Sequence, residues 1–466
     1  MNRPASRSPY SSAASGSYGA GAARADGVFD VAVVGMGAVG AAMALMSAQA
    51  GCRTAIIAPP PGGPAVNAGR AGAGSGGMGS GSVGSSGAGS RGADPAASPD
   101  NGGDDWDARV FALSPGSRDL LETLRVWSAL DHSRIAPVYD MRIQAESPAT
   151  AVQAPPVHFS AYQGQVDALA WIVEGRHLDR TLARALDFSP VQRIAGSVVA
   201  MPAAGSAGDA DTRSLTLDNG GTVKARLVIG ADGASSIVRR LAGIDEHIHD
   251  YRHTAVVANF ACELPHQDCA YQWFGAPGVL ALLPLPGNRC SLVWSAPAAL
   301  ADALMTLAPR ALALRVTEAC DGCFGMLEPI TAARAFPLRR IDVASLIAER
   351  VALVGDAAHV VHPLAGQGMN LGFGDVAQWL PLLRDREPFR DAGDPLLLSR
   401  YQRSRREAIL AMKAATDGLQ RLFDPDELAR LGPLASPMRH LRGAGWRIVA
   451  GSDWLRRQLI RAAAIQ

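Results

Sequence analysis

Short apolar runs bounded by glycine, proline and small polar residues alternate along this chain with longer stretches of helical period, a pattern that predicts strands alternating with helices. Phe29–Val34 is an apolar run interrupted only by Asp30, and it predicts a buried strand. Gly35-Met36-Gly37-Ala38-Val39-Gly40 follows at once and opens a helix predicted to run to about Gly51. Thr54–Ala58 predicts a second short strand, so the fold begins with a β-α-β unit and therefore a parallel sheet. The low charge of 31–50 would suit a membrane span, but Gly35, Gly37 and Gly40 argue for a strand, a tight turn and a helix instead. From Trp106 the pattern predicts a helix over about Pro115–Leu130, a strand at Met141–Ala145, a helix at His177–Leu186 and strands near 193–200, 213–218 and 223–230. Residues 253–295 read as strand-rich, with Gly278–Leu285 as part of a sheet roofing a substrate pocket. Val351–Gly355 predicts a buried strand leading into a helix over about Gly366–Leu380, and the last sixty residues read as helical.

Composition changes this picture in one place. Of the 50 glycines, 19 fall within residues 1–27 and 59–104. The second of these segments alternates Gly, Ser, Ala and Pro with almost no large apolar side chain, so it cannot offset the entropy of ordering and is expected to be a disordered surface insert. The first is expected to be a disordered tail: its scattered Gly and Pro would break a transit-peptide helix, and it has no long apolar stretch for a secretory signal. With 44 basic and 43 acidic side chains the chain carries a formal charge of +1, which offers no field for nucleic acid. Six irregularly spaced cysteines do not make a disulfide framework and suit a reducing, cytoplasmic setting. Cys320-Asp321-Gly322-Cys323 has no second pair and no histidine cluster, so it reads as a turn carrying two thiols, and no metal is expected.

Three motifs carry the chemistry. Gly35-x-Gly37-x-x-Gly40, between a strand and a helix, is the dinucleotide fingerprint, in which glycines let the backbone approach a pyrophosphate at a helix N-terminus. Gly230-Ala231-Asp232-Gly233 again follows an apolar strand and continues to Arg239. Gly355-Asp356-Ala357-Ala358-His359 runs on through His362-Pro363 to Gly366-Gln367-Gly368-Met369-Asn370. There an aspartate can accept from a ribose-type hydroxyl, and a glycine-rich helix start can aim amides at an electron-poor ring carbonyl.

With these motifs in order, the chain resembles the single-component FAD-dependent aromatic-ring hydroxylases of the para-hydroxybenzoate hydroxylase type. Asp107–Ser114, Ala281–Leu285 and Ala414–Leu419 resemble, more narrowly, the ubiquinone-biosynthesis hydroxylases. The resemblance implies an α/β fold: a Rossmann-like FAD-binding domain, an interleaved β-sheet substrate domain and a helical C-terminal region. The domain layout expected is a tail (1–27), the FAD-binding β-α-β unit (28–58), the insert (59–104), the FAD-binding domain continued with strands of the substrate domain (105–240), the substrate-binding sheet (241–340), the flavin-ring segment (341–390) and the helical region (391–466). The resemblance further implies FAD as cofactor, NAD(P)H or another electron donor as reductant, and a C4a-hydroperoxide of the reduced flavin as the oxygenating species. By the same resemblance Gly35, Gly37, Ala38 and Gly40 hold the pyrophosphate with Arg109, and Asp356 takes the ribityl or pyrophosphate region. Asp232 and Gly233 form the second fingerprint, Gly366, Gln367 and Gly368 shape the flavin turn, and the amides of Met369 and Asn370 face the flavin carbonyl. Pro363 is expected to shape the pocket beside the flavin, while His359, His362 and Tyr139 are candidates, by residue type alone, for a base acting on a phenol.

The chain departs from the fingerprint in one respect. No acid follows the second strand, Ile56-Ile57-Ala58-Pro59, where an Asp or Glu would grip the adenosine ribose. The C-terminal region is basic, with Arg439, Arg442, Arg447, Arg456, Arg457 and Arg461 against Asp453, and Trp454, Leu455 and Leu459 share a helical stripe. That pattern suits either a helix lying on a membrane surface, which would place the protein peripherally on the inner membrane, or an ordinary amphipathic helix packed on the body. The expected substrates are a prenylated aromatic ring and O2, with other ubiquinone-biosynthesis proteins as partners. Two other readings stay open: a catabolic hydroxylase of a small soluble aromatic acid, marked by a cation in the pocket, and a non-catalytic assembly subunit, marked by absence of bound flavin.

Overall fold

The computed structural model describes residues 27–60, 106–145, 156–203, 211–275, 278–361, 368–423, 451–452 and 456–460. Phe29–Val34 is buried along most of its length, and it takes the place such a strand requires, the middle of a parallel sheet. Thr54–Ala58 pairs on one side and Thr222–Gly230 on the other, with Gln192–Ala195 and Val351–Leu353 continuing the parallel order outward. The stretch expected as one strand over 193–200 is two, Gln192–Ala195 and Val198–Ala200, because Gly196 turns the chain at φ +149°. Helix Ala38–Gln49 is apolar on nearly all sides, and it is correspondingly buried, with Met43 and Met46 fully enclosed. The helix expected over Pro115–Leu130 stops at Thr123. Leu124 caps it, Arg125 takes φ +57°, and a short 3-10 turn over Trp127–Ala129 follows.

A second, nine-stranded sheet is antiparallel except where Cys269–Gly275 runs parallel to Asp140–Ala145. Glu246–Cys262 is its longest strand and pairs with both Arg289–Pro297 and Arg334–Val343. Side chains alternate across this sheet. Phe260, Leu282, Leu292 and Trp294 face outward and are covered by helices Ala298–Thr306 and Pro309–Ala319. Those two helices were not expected from the pattern. Val279, Ala281 and Leu283, the odd positions of the run read as a roof, face the other way and line a cavity. Cys320–Cys323 is a turn, with the Cys323 amide donating to the Cys320 carbonyl at 3.1 Å, and all six cysteines are free thiols.

Helix Gly368–Arg384 leans against Ala38–Gln49, and helix Pro395–Phe423 covers it, with Trp379 stacked on Tyr401 at 4.7 Å. The Tyr401 hydroxyl donates to the Leu353 carbonyl and pins that helix to the parallel sheet. No described helix is long and apolar enough to cross a membrane. The expected disordered tail and nearly all of the Gly/Ser insert lie outside the described residues, as do Arg439, Arg442, Arg447, Trp454, Leu455 and Arg461. Within the short helical piece 456–460, Ile460 is buried while Leu459 is exposed, and a Cβ added to Gly164 would meet Ile460 at 2.5 Å.

Candidate active site

The glycine turn after the first strand is shaped by contact. Gly35 has φ +107°, and a Cβ there would lie 2.3 Å from the Ala231 carbonyl; a Cβ on Gly40 would lie 2.2 Å from the Gly35 carbonyl. These two glycines therefore exist so that the first and second motifs can touch. Gly37 is different: nothing lies within 4 Å of its Cβ position, and it faces a cavity of about 640 Å3. It is also the N-cap of helix Ala38–Gln49, has no side chain to cap with, and is followed by no acid in the first turn. The first amides of that helix are left for an anion, which the helix dipole also favours.

Arg109 reaches the cavity from the loop before strand Val110–Leu113, and buried polar groups hold that loop. Asp107 accepts from the amides of Arg109 and Arg176, while its own amide donates to Glu174 at 2.6 Å. Arg134 grips Glu174 with two hydrogen bonds of 2.8 and 3.0 Å. Burial pushes the Glu174 carboxyl above its ordinary value, against the Asp107 amide and the Arg134 guanidinium, which pull it down. The Arg109 guanidinium lies over the Phe111 ring and 3.8 Å from Asp179, a cavity acid contributed by helix Gly175–Asp187.

Asp356 follows Gly355, whose φ of +59° turns the chain at the end of the parallel strand Val351–Leu353. Its side chain opens into the cavity while protein crowds it on the other sides. That crowding raises its carboxyl above the usual range, with His359, Arg109 and Arg339 opposing. A carboxylate so placed gains from hydroxyl donors in a ligand. The turn is fixed from behind by Asp375, fully buried in helix Gly368–Arg384. Its Oδ2 accepts from the Gly355 amide at 2.8 Å and lies 2.7 Å from His359 Nε2, and its Oδ1 accepts from Arg405 Nε at 2.7 Å. Burial alone would raise the Asp375 carboxyl, but His359, Arg405 and the Gly355 amide outweigh it and hold the group below its ordinary value.

Of the residues expected at the site, Gly37, Ala38, Gly40, Arg109, Gly233, Asp356, Gly368 and Met369 converge on this cavity. Asp232 does not line it. Its carboxylate accepts from Ser236 Oγ and from the amides of Ile237 and Val238, so it caps helix Ile237–Leu241. Arg239 then ties this second motif to the third, donating to the carbonyls of Ala234 and Ala357. Asn370 is buried and turns its side chain toward the Arg109 segment. Its Oδ1 accepts from the Ser114 amide and Ser117 Oγ, and its Nδ2 donates to the Ala112 carbonyl. Asn370→Ala should remove those three hydrogen bonds and cost about 3 kcal/mol in a urea unfolding series.

His359, a candidate base by type, is enclosed against Asp375 and does not reach the cavity. Tyr139 is 45% exposed between strands Ala136–Val138 and Asp140–Ala145 and is not among the cavity residues. His362, Pro363, Gly366 and Gln367 lie outside the described residues. The pattern gave no notice of Asp179, Asp375 or Arg405. Asp375 and Arg405 sit in helices whose periodicity marks them only as polar interruptions of a buried face.

The cavity thus joins an anion-ready helix start, a guanidinium, a hydroxyl-accepting carboxylate and an apolar sheet wall. These parts fit a dinucleotide flavin at one end and an apolar ring at the other. The model of the FAD binding domain family matches residues 170–416. The ubiquinone hydroxylase UbiL of Rhodospirillum rubrum is 34% identical over 356 residues, spanning 72% of this chain and 80% of that protein. The chain belongs to the ubiquinone-biosynthesis hydroxylase family of FAD-dependent monooxygenases. The 3-demethoxyubiquinol 3-hydroxylase of Escherichia coli is 32% identical, over 77% of this chain and 87% of that protein. Among solved structures, PqsL of Pseudomonas aeruginosa, a probable FAD-dependent monooxygenase, superposes with a TM-score of 0.62 over 90% of this chain and all of that one, at 20% identity. The fold is accordingly that of para-hydroxybenzoate hydroxylase-type monooxygenases, FAD is the cofactor, and NAD(P)H is the reductant typical of the family.

Proposed function

We propose that this protein hydroxylates the aromatic ring of a polyprenylated phenol or quinol intermediate of ubiquinone biosynthesis. The observation that carries the reading is the cavity wall. Its sheet side is made mostly of apolar side chains, Ala255, Val257, Val279, Ala281, Leu283 and Val293, while the cations Arg109, from the loop before Val110–Leu113, and Arg339, from strand Arg334–Val343, both act on Asp356, at the cofactor end. A pocket for a small aromatic acid would instead place a cation on the substrate side.

FAD, when bound, supplies the activation of dioxygen and the oxygen transfer. The chain's own part is to bind and to exclude water. The amides of the helix start at Gly37–Gly40, with Arg109, take the pyrophosphate, and Asp356 accepts from hydroxyls of the sugar-alcohol chain. The start of helix Gly368–Arg384, at Gly368 and Met369, presents the positive end of its dipole to negative charge on the reduced ring. The apolar wall keeps water from the reacting atoms and sets the ring flat against short side chains. The reading takes NAD(P)H or another donor as reductant, and includes contact with other ubiquinone-biosynthesis proteins. It also places the protein peripherally on the inner membrane through its C-terminal region, where a prenyl tail resides.

A deletion strain should lose ubiquinone and accumulate a prenylated ring lacking one hydroxyl, read by mass spectrometry of extracted lipids. Normal ubiquinone with no such precursor would refute the proposal. Turnover stimulated by hydroxybenzoates, and not by prenylated rings, would favour the catabolic reading.

A further inference from the structure

Two polar side chains on the otherwise apolar wall are buried and unpartnered. Gln272 and Ser295 are each 5% exposed, both line the cavity, and among the described residues neither side chain has a protein hydrogen-bond partner. Burying an amide or a hydroxyl without a partner is unfavourable, and the valines and alanines around them show that apolar side chains fit this wall. A ligand carrying hydrogen-bonding atoms at both points would remove the cost.

The register fixes their relation. Gln272 lies opposite Ala281, and Ser295 lies opposite Val279, so strand Gly278–Leu285 runs between them. They stand two interstrand spacings apart across the sheet and two residues apart along it, about 12 Å between Cα atoms. With a long side chain on one side and a short one on the other, the gap takes one six-membered ring with a hydrogen bond at each end. Ala281 and Val279 form a low floor under it.

We infer that Gln272 and Ser295 orient the substrate by bonding two oxygens on opposite carbons of the ring, so that the enzyme selects para-dioxygenated, quinol-type rings over monophenols. The inference rests on the ring-hydroxylase reading above and narrows it. Both side chains donate and accept, so each serves a hydroxyl or a carbonyl oxygen.

The test uses FAD-loaded full-length protein titrated with two probes, a short-chain prenyl hydroquinone and the corresponding prenyl monophenol, following the change in flavin absorbance. Wild type should bind the hydroquinone roughly tenfold or more tightly than the monophenol. Gln272→Leu and Ser295→Ala should each lose roughly tenfold for the hydroquinone, and the double variant should bind both probes alike. Ser295→Thr, which keeps the hydroxyl, should retain the preference. FAD content should not change and Tm should not fall, whereas loss of a merely structural contact would lower it. Gln272→Leu binding the hydroquinone as wild type does, or Gln272→Leu and Ser295→Ala both losing the same factor for the two probes, would overturn the inference. If wild type binds prenylated rings and the variants bind them equally well, this inference alone fails. If wild type takes small aromatic acids and neither probe, the substrate reading fails and this inference falls with it.

Discussion

Asp375→Asn is expected to destabilise the protein by about 3–5 kcal/mol and to release FAD on gel filtration. The substitution keeps the shape and removes the charge, leaving Arg405 enclosed without its counter-ion and His359 without its carboxylate partner. Breaking a buried pair in this way is far more costly than losing a surface one. The same carboxylate accepts from the Gly355 amide, so the turn that aims Asp356 into the cavity loosens with it. The pH dependence has a definite sign. Because the folded state lowers the Asp375 carboxyl, its contribution is fully present above the ordinary carboxylate value, near pH ~4, and is lost as pH falls through the lower folded value. The Tm advantage of wild type over Asp375→Asn should therefore be constant from neutral pH down to ~4 and narrow below it. An equal advantage at every acid pH would exclude the charge as its source.

The glycine turn allows an equally large and more selective effect. Gly40→Ala drives a Cβ into the Gly35 carbonyl at 2.2 Å, backbone against backbone, and should cost about 3 kcal/mol or more with loss of soluble protein. Gly37→Ala adds the same methyl where nothing lies within 4 Å, at a residue whose φ of −69° any amino acid adopts. Its Tm should match wild type while its FAD affinity falls at least ~tenfold, since the methyl fills the space the pyrophosphate needs. A Gly37→Ala protein binding FAD normally would move the phosphate site away from this turn.

The contrast between these glycines marks how far the sequence could be read. The spacing of Gly35, Gly37 and Gly40 after an apolar strand located the cavity, but spacing does not say which glycine meets backbone and which meets ligand. The family resemblance put Asp232 in the second fingerprint beside the cofactor, but its carboxylate accepts from the amides of the next helix, a local bond that the motif alone does not distinguish. The helices Ala298–Thr306 and Pro309–Ala319 were hidden by the apolar strands around them, because both kinds of element supply buried faces to one core. The network of Asp375, His359 and Arg405 joins residues 46 positions apart, and such a long-range pairing of charges leaves no local period. The roof strand Gly278–Leu285 was legible as a continuous apolar run, while the partners that turn one face of it into a ring-sized slot come from strands on either side.

A single turnover tests the ring-hydroxylase activity most directly. FAD-loaded protein, reduced anaerobically and then mixed with a short-chain prenyl hydroquinone and isotopically labelled dioxygen, should yield a ring product carrying one labelled oxygen atom. Recovery of the ring unchanged, with the flavin reoxidised and all labelled oxygen in hydrogen peroxide, would contradict it.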